Sequence, residues 1–473
     1  MNNLDIQNKK IIKDLDGLFS LIDINQNKNI SFHHHFRNGD LIINYVLEKY
    51  LSLNVKGINL FPSAIFPNYT GILDLIKAGL VNNITTNYIN GPVADYITTN
   101  GLNGKLKMQT HGGRARSIIE GKSKIDIAFI AVPYANYNGD ATGYLGNNAC
   151  GSLGYVIPDS KHAKIKVLIT DTLVNNEIIN KEIDGNDIDF IIKVEKIGNK
   201  DGIISGTTEV TKNPVGVKIA SNTSKLLKEL GLIKQGFSFQ SGAGGVSLRV
   251  TKDVRDIMLA NNIKASFFSG GITKYHVDML EEGLVEKLYD VQCFDLDAVK
   301  SLSKNKEHYA ISASKYANPS DPSMVIKDLD VVILGATEID KDFNVNVTTD
   351  SHGNLIGGSG GHSDTASEAK VTVIVSPLIK GRIPVVKDKV TTITTLGKNI
   401  DCFVCERGIA INPLRVDLIE KLKDSRLHIL SIDELLEIAH NFTGIPKNTI
   451  NHDRIIGEVE DRTFEIIDYI YQK

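Results

Sequence analysis

Three runs of glycine carry the first chemical signal in this chain: "SGAGG" at Ser241–Gly245, "HGGRARSIIEG" at His111–Gly121 and "GNLIGGSGGHSD" at Gly353–Asp364. Glycine lacks Cβ, so backbone amides in such runs approach a ligand closely and can donate to a phosphate, a carboxylate or a developing oxyanion. A single glycine-rich turn between strand and helix is commonplace packing; three in one chain point to a site built from backbone. The candidate donors are Gly242, Gly244 and Gly245 with Ser241 beside them, and Gly358, Ser359, Gly360 and Gly361 in the third run. The second run adds His111, Gly112 and Gly113, and two arginines, Arg114 and Arg116, whose planar forks suit the carboxylates of a small polyacid. None of the runs fits GxGxxG or GxxxxGK[ST], so a nicotinamide cofactor or ATP has no signature here. Ser241, Ser359, His362 and Asp364 are the types of a hydrolytic triad, but no GxSxG elbow surrounds either serine.

Other reactive types are sparse. Cys402 and Cys405 form a CxxC inside "NIDCFVCERGIAINP", an apolar stretch that reads as a buried strand without a second ligand pair. His33–His35 sit in "NISFHHHFRNGDLI", which alternates like a strand; neighbouring strand residues face opposite ways, so the three imidazoles are expected as polar strand residues that do not share one ion. No metal site is expected. Glu338, in "GATEIDKDF" beside a strand end, is the glutamate that could act as a nucleophile, with a hydrogen-bonding loop carboxylate as the competing reading.

Composition bounds the rest. The 473 residues exceed what one core usually supports, so two domains are expected. With 42% hydrophobic and 23% charged residues and a net charge of −3, the chain is an ordinary globular protein without a basic field for nucleic acid. No apolar run reaches a membrane span, and "MNNLDIQNKKIIKDLDGLF" lacks a signal-peptide core, so a cytoplasmic protein is expected.

The elements that must hold the glycine runs come in two copies. "LIKAGLV" from Leu75 matches "MLEEGLV" from Met279, "DIAFIA" from Asp126 matches "DVVILG" from Asp330, and "KIKVLI" from Lys164 matches "KVTVIV" from Lys370 at nearly the same offset. Such an interval is a duplicated domain, too long for a repeat array. The short, nearly all-apolar strands suit parallel sheets covered by helices on both faces. The expected fold is therefore α/β with two similar domains, each a mainly parallel sheet flanked by helices. The boundaries expected are 1–29 for an N-terminal helical extension, 30–214 for the first domain and 215–473 for the second. The charged end "EVEDRTFEIIDYIYQK" is expected as peripheral helix.

Over nearly its whole length the chain resembles the citrate lyase alpha-chain family, through "SFHHHFRNGD", "HGGRARSIIEGKSKIDIAFIA", "NNACGSLGY", "DGIISGTTEVTKNP", "FSFQSGAGG", "GGSGGHSDTASEAK" and "ERGIAINP". More distantly, "DFNVNVTTDSHGNLIGGSGG" looks like the acetyl-CoA hydrolase and CoA-transferase group. The resemblance implies CoA-transferase-like domains with the active site between them. It implies a reaction in which acetyl on a carrier-protein thioester is exchanged for citrate, giving acetate and citryl carrier. No tightly bound cofactor is implied; CoA, or the CoA-derived arm of an acyl carrier protein, brings the sulfur. The implied partners are citrate, acetyl-CoA or the acetyl carrier, and lyase (beta) and carrier (gamma) subunits in a multimer. Related CoA-transferases attack with an enzyme glutamate; the corresponding region reads "YDVQCFDLDAVKSL", with Asp295 and Asp297 in place of a glutamate. Attack by citrate's own carboxylate through a mixed anhydride is the preferred expectation. A free-standing acyl-CoA transferase or hydrolase using Glu338, Asp295 or Asp297 is the alternative, and a mainly structural subunit a third.

Overall fold

The computed structural model describes residues 10–204, 208–447 and 452–473. Two aspartates start the architecture. Asp126 accepts the amide of Asn29 through Oδ2 at 2.9 Å, and Asp330 accepts that of Ser238 in the same way at 2.9 Å. Each ties the first residue of a strand to the segment entering its neighbour, so the two halves are built on one plan.

The first sheet has ten strands in the order Ile11–Ile12, Phe190–Lys193, Ile165–Thr170, Ile127–Val132, Asn29–Phe32, Ile58–Pro62, Val81–Thr86, Leu106–Met108, Ile455–Glu460 and Ile466–Tyr471. The second has eight: His308–Ala310, Val285–Cys293, Ala265–Ile272, Ser238–Ser241, Val331–Gly335, Val371–Val375, Cys402–Val404 and Ile409–Ile411. From Phe190–Lys193 to Leu106–Met108 in one, and from Cys402–Val404 to His308–Ala310 in the other, the strand order is the same and every pairing is parallel. Ile127–Val132 and Val371–Val375 are buried at every position, as strands covered on both faces must be. The duplication read from the sequence is thus a duplication of topology. A further apolar cluster joins the halves, packing Ala115 and Tyr155 against Val291, Ile311, Tyr316 and Ala317.

Four local expectations are corrected. The charged end is a pair of antiparallel strands, Ile455–Glu460 and Ile466–Tyr471, added to the first sheet beside Leu106–Met108; its alternating "EIIDYIY" follows the two-residue period of a strand. The chain therefore returns to the first domain after the helix Ile432–Thr443. Before Asn29, the helix Leu15–Leu21 is preceded by the strand Ile11–Ile12, which pairs with Phe190–Lys193 in the first sheet; residues 1–9 of the expected extension lie outside the described residues. The strand before the three histidines ends at Phe32, so His33–His35 occupy the turn beyond it. Lastly, His111–Ile119 is a helix capped by Thr110, whose Oγ1 accepts the Gly113 amide at 2.8 Å. Its two glycines are there for close approach: a Cβ on Gly112 would overlap the carbonyl oxygen of Ala317 in the other half. Cys402 and Cys405 are buried as expected, Cys402 opening the strand Cys402–Val404.

Candidate functional site between the two halves

The strands of each half point their C-terminal ends at the other half, the end of a parallel sheet where ligands bind. His34 shows this juxtaposition. Its Nδ1 lies 2.7 Å from Ser63 Oγ, its Nε2 lies 3.1 Å from Gln292 Oε1, and the Gln292 amide donates to the His34 carbonyl at 3.2 Å. The Tyr155 ring stacks on His34 with centroids 4.6 Å apart. Burial, with the nearby His111 and Arg37 adding to it, pushes the His34 imidazole well below its ordinary range, so it is neutral.

The equivalent turn of the second half follows Ser238–Ser241, and there Gly242, Ala243 and Gly244 stand where His33, His34 and His35 stand. Asp159 and Asp364 lie at equivalent points of the helices Ile157–His162 and His362–Glu368, which places Gly360 opposite Tyr155 in the same comparison. One turn is filled by imidazole and phenol; its counterpart is stripped to backbone.

The first glycine run divides by role. Gly242 donates its amide to Ile333 O at 2.9 Å, and Ser241 Oγ accepts from Thr251 Oγ1 at 2.9 Å with His276 Nε2 at 3.3 Å, so both hold the strand end together. Gly244 caps the helix Gly245–Asn261 without a side chain. A Cβ on Gly244 would meet nothing within 4 Å among the described residues, whereas one on Gly245 would press on the Glu209 carbonyl oxygen at 2.8 Å. The amides of Ala243, Gly244 and Gly245 have no acceptor among the described residues. They begin a 17-residue helix, whose dipole adds partial positive charge there.

The third run reaches across the interface. The Gly360 amide donates to Asn87 O at 3.1 Å, and its carbonyl accepts the His111 amide at 2.9 Å. Gly360 has φ +50°, a left-handed conformation that favours glycine. A Cβ on Gly358 would overlap the Asn87 carbonyl, and one on Gly361 would lie 2.6 Å from the Tyr316 hydroxyl. Ser359 bonds Ser363 Oγ at 2.9 Å, while His362 lies between Thr395 Oγ1 at 2.8 Å and the Gly335 carbonyl at 2.9 Å. The serine, imidazole and carboxylate thus have separate partners. Asp364 accepts Thr110 Oγ1 at 2.8 Å and the Gly112 amide at 2.9 Å, which fills the N-terminus of the His111–Ile119 helix.

The arginines expected to receive a substrate carboxylate are engaged with partners inside the chain. Arg114 is buried and grips Asp159 bidentately at 2.8 and 2.9 Å, with His33 Nε2 on the same carboxylate at 3.3 Å. Burial alone would raise the Asp159 pKa; the Arg114 and His33 charges outweigh it and hold the carboxyl well below its usual range. Arg116 pairs with Glu120 at 2.8 Å and lies over the Phe464 ring at 4.5 Å.

The carboxylates considered as nucleophiles are likewise held. Glu338 is fully buried, with Oε1 on Lys387 Nζ at 2.5 Å and Ser351 Oγ at 2.6 Å, and Oε2 on the Thr391 amide at 2.7 Å and Asn346 Nδ2 at 2.9 Å. Burial raises its pKa, but Lys387 and the hydroxyl and amide donors outweigh that, leaving Glu338 ionised and below its ordinary value. Asp295 caps the helix Leu296–Lys304 through the Ala298 amide, and Asp297 lies on that helix's exposed first turn. Among the described residues no group of three or more His, Cys, Asp or Glu is arranged to hold a metal, and no helix is long and apolar enough to cross a membrane.

Two residues stand at the same junction as Gly360: Asn87, which the sequence reading did not single out, and His111, which it did. Asn87 follows the strand Val81–Thr86 and is fully buried, yet neither Oδ1 nor Nδ2 has a hydrogen-bond partner among the described residues. An unsatisfied buried amide of this kind calls for a ligand or water. His111 Nδ1 is also unpartnered, its ring 4.3 Å from that of Tyr155, and burial next to Arg114 pushes its pKa down to about 3. The signal for Asn87 in the sequence was its place just past a strand end, which many loop asparagines share.

The comparisons agree with this architecture. The family described as "Citrate lyase, alpha subunit (CitF)" matches residues 8–473. The chain is 39% identical over 464 residues to the citrate lyase alpha chain of Klebsiella pneumoniae, covering 98% of this chain and 91% of that one. It is 38% identical to the alpha chain of Escherichia coli strain K12, with the same coverage. A solved structure described as the alpha subunit of citrate lyase from Streptococcus mutans, in complex with citrate, superposes with a TM-score of 0.95 at 42% identity, covering 98% and 91% of the two chains. A malonate decarboxylase alpha subunit from Acinetobacter baumannii shares the fold at a TM-score of 0.65 and 14% identity, covering 95% and 88%. With the duplicated topology, the interdomain glycine loops and these matches together, the chain belongs to the citrate lyase alpha subunit family, the citrate:acetyl-carrier-protein transferase component of that enzyme.

Proposed function

We propose that the chain exchanges acetyl for citrate on a carrier thioester by direct attack of a citrate carboxylate, in the space left between the stripped turn Gly242–Gly245 and the loop Gly358–Gly361. The observation that carries this is the pair of features at Gly244: open space on its Cβ side, and helix-start amides without acceptors around it. Backbone donors fixed in place stabilise a tetrahedral oxyanion without reorganising as charge develops.

The balance of the reaction is simple. A citrate carboxylate oxygen adds to the acetyl thioester carbon; the oxyanion collapses and expels the carrier thiolate, leaving a mixed anhydride. The thiolate then attacks the citryl carbonyl and acetate leaves, so no proton is consumed overall. This route needs no enzyme carboxylate. It accords with the occupied state of Glu338 and the capping role of Asp295.

Asn87 and the neutral His111 are the side chains best placed to recognise the citrate hydroxyl and carboxylates, each with an unpartnered polar atom at the Gly360 junction. The donor thioester is carried by CoA or by the CoA-derived arm of a partner carrier protein, and a lyase subunit consumes the citryl product. The test is mass spectrometry of thioesters after mixing the protein with citrate and acetyl-CoA. Citryl-CoA and acetate are expected; free CoA and acetate without citryl thioester would replace this reading with a hydrolase.

A further inference from the structure

A second concavity lies where the second half meets the terminal strands added to the first sheet, and neither Asn87 nor His111 lines it. It encloses about 490 Å³ where Ser351 and His352, the segment Lys387–Thr391, the end of the helix Ile432–Thr443 and the terminal strand Ile466–Tyr471 converge. That volume suits a ligand of nucleotide size.

Its charges are lopsided once pairs are counted out. Asp388 binds Lys341 at 2.8 Å, and Asp468 accepts the amides of Ile393 at 2.7 Å and Tyr469 at 2.8 Å. Lys387 is neutralised by the buried Glu338 beneath it. Lys389 and Lys447 have no anionic partner among the described residues, and His352, His440 and His452 complete the lining. Two unpaired lysines against Asp468, a carboxylate whose charge the amides do not cancel, leave the space net positive and rich in N–H donors, the lining an anion requires. One wall is aromatic: the rings of His452 and Tyr471 meet edge to face with centroids 4.4 Å apart.

The cavity is also joined to the proposed reaction site by one loop. Ser351 and His352 stand at its start and Gly358–Gly361 at its end, with the Ile356 and Gly357 amides both donating to Thr348 O. Gly358 lies six positions beyond His352, at most about 20 Å of chain, so one extended molecule can touch both.

We propose that this cavity binds the phosphorylated end of a nucleotide, its diphosphate held by Lys389 and Lys447 with the surrounding imidazoles, and its base against the Tyr471–His452 pair. The nucleotide is either part of the thioester donor or a free effector; the first source rests on the transferase reading above, the second does not.

The test is calorimetric titration of the intact protein with adenosine 5′-diphosphate, repeated with Lys389→Ala and in saturating citrate. Kinetics with acetyl-CoA and with S-acetyl-N-acetylcysteamine, a donor without a nucleotide, separate the two sources. Lys389 is exposed and unpaired, so its removal leaves folding intact. Binding is expected, weakened about tenfold or more by K389A, since a charge-assisted contact contributes that much, and indifferent to citrate. A rise in KM for acetyl-CoA alone assigns the cavity to the donor; unchanged KM for both donors with binding still lost assigns it to a free nucleotide. No binding of the diphosphate, binding indifferent to K389A, or displacement by citrate overturns the proposal. Failure of citryl transfer with either donor would count against the transferase reading and leave the titration to stand by itself.

Discussion

Gly112 and Ala317 are in such close contact that a single methyl group on the glycine would overlap the Ala317 carbonyl oxygen. The contact sets the approach of the helix His111–Ile119 to the helix Ala313–Ala317, and with it the separation of the two halves. Gly112→Ala should destabilise the protein by about 1–3 kcal/mol, the usual cost of overpacking, and lower transfer at the same time. Urea unfolding paired with an activity assay checks this; an unchanged midpoint would mean that the halves separate without cost.

Gly244 is the opposite case. No described residue occupies the space its Cβ would take, so Gly244→Val should cost no more than about 1 kcal/mol of stability, the loss of a good helix cap, and reduce citrate transfer by about 100-fold or more, as loss of access to an oxyanion site does. Full activity in the Gly244→Val protein would remove the turn from the mechanism.

Arg114 and Asp159 form a buried ion pair with bidentate geometry. Removing one partner leaves the other charge buried and uncompensated, so Arg114→Ala should cost about 3–5 kcal/mol of stability. A variant of wild-type stability with a raised KM for citrate would return Arg114 to the substrate.

Asn87→Ala should separate binding from folding in the other direction. The side chain makes no hydrogen bond within the protein, so its loss should leave stability unchanged while the KM for citrate rises about tenfold, the weight of one buried hydrogen bond to a charged ligand. Equal KM values for the two proteins would displace Asn87 from the citrate site.

Stability should fall as the medium is acidified from pH 6.5 to 4. Burial lowers the pKa of His35 and His111 to about 3 and of His276 and His362 to about 4, so in this window the unfolded chain takes up protons that the folded one refuses. Burial raises Asp364 to about 6, and Asp40 and Glu182 to about 7; these folded-state carboxyls bind protons first and oppose the trend. The depressed histidines, with His34 shifted the same way, outnumber them. Denaturant midpoints at pH 7 and pH 5 give the sign; a higher midpoint at pH 5 would show the carboxyls dominating.

Much of the architecture was legible from residue order alone. The matched pairs at Asp126 and Asp330, and the unbroken apolar strands beside them, are local patterns whose period and burial follow from backbone geometry. Other features depended on contacts between distant residues. "HGGRARSII" reads as a loop because glycine disfavours helix, yet it is helical, with Gly112 pressed against Ala317 and the helix start satisfied by Asp364, 252 residues away. Arg114 looked available because nothing in the sequence announces Asp159 as its partner. Asn87 looked ordinary because a missing hydrogen bond is visible only after the chain has buried the side chain. The terminal "FEIIDYIY" is a strand because Ile455–Glu460, itself added to the open edge of Leu106–Met108, offers it a partner, and that edge exists only in the assembled sheet. Sequence by itself determined the repeating elements, whose causes lie within a few residues; tertiary structure decided which polar groups are spent on packing and which remain for substrate, because that allocation depends on burial and on partners brought together by folding.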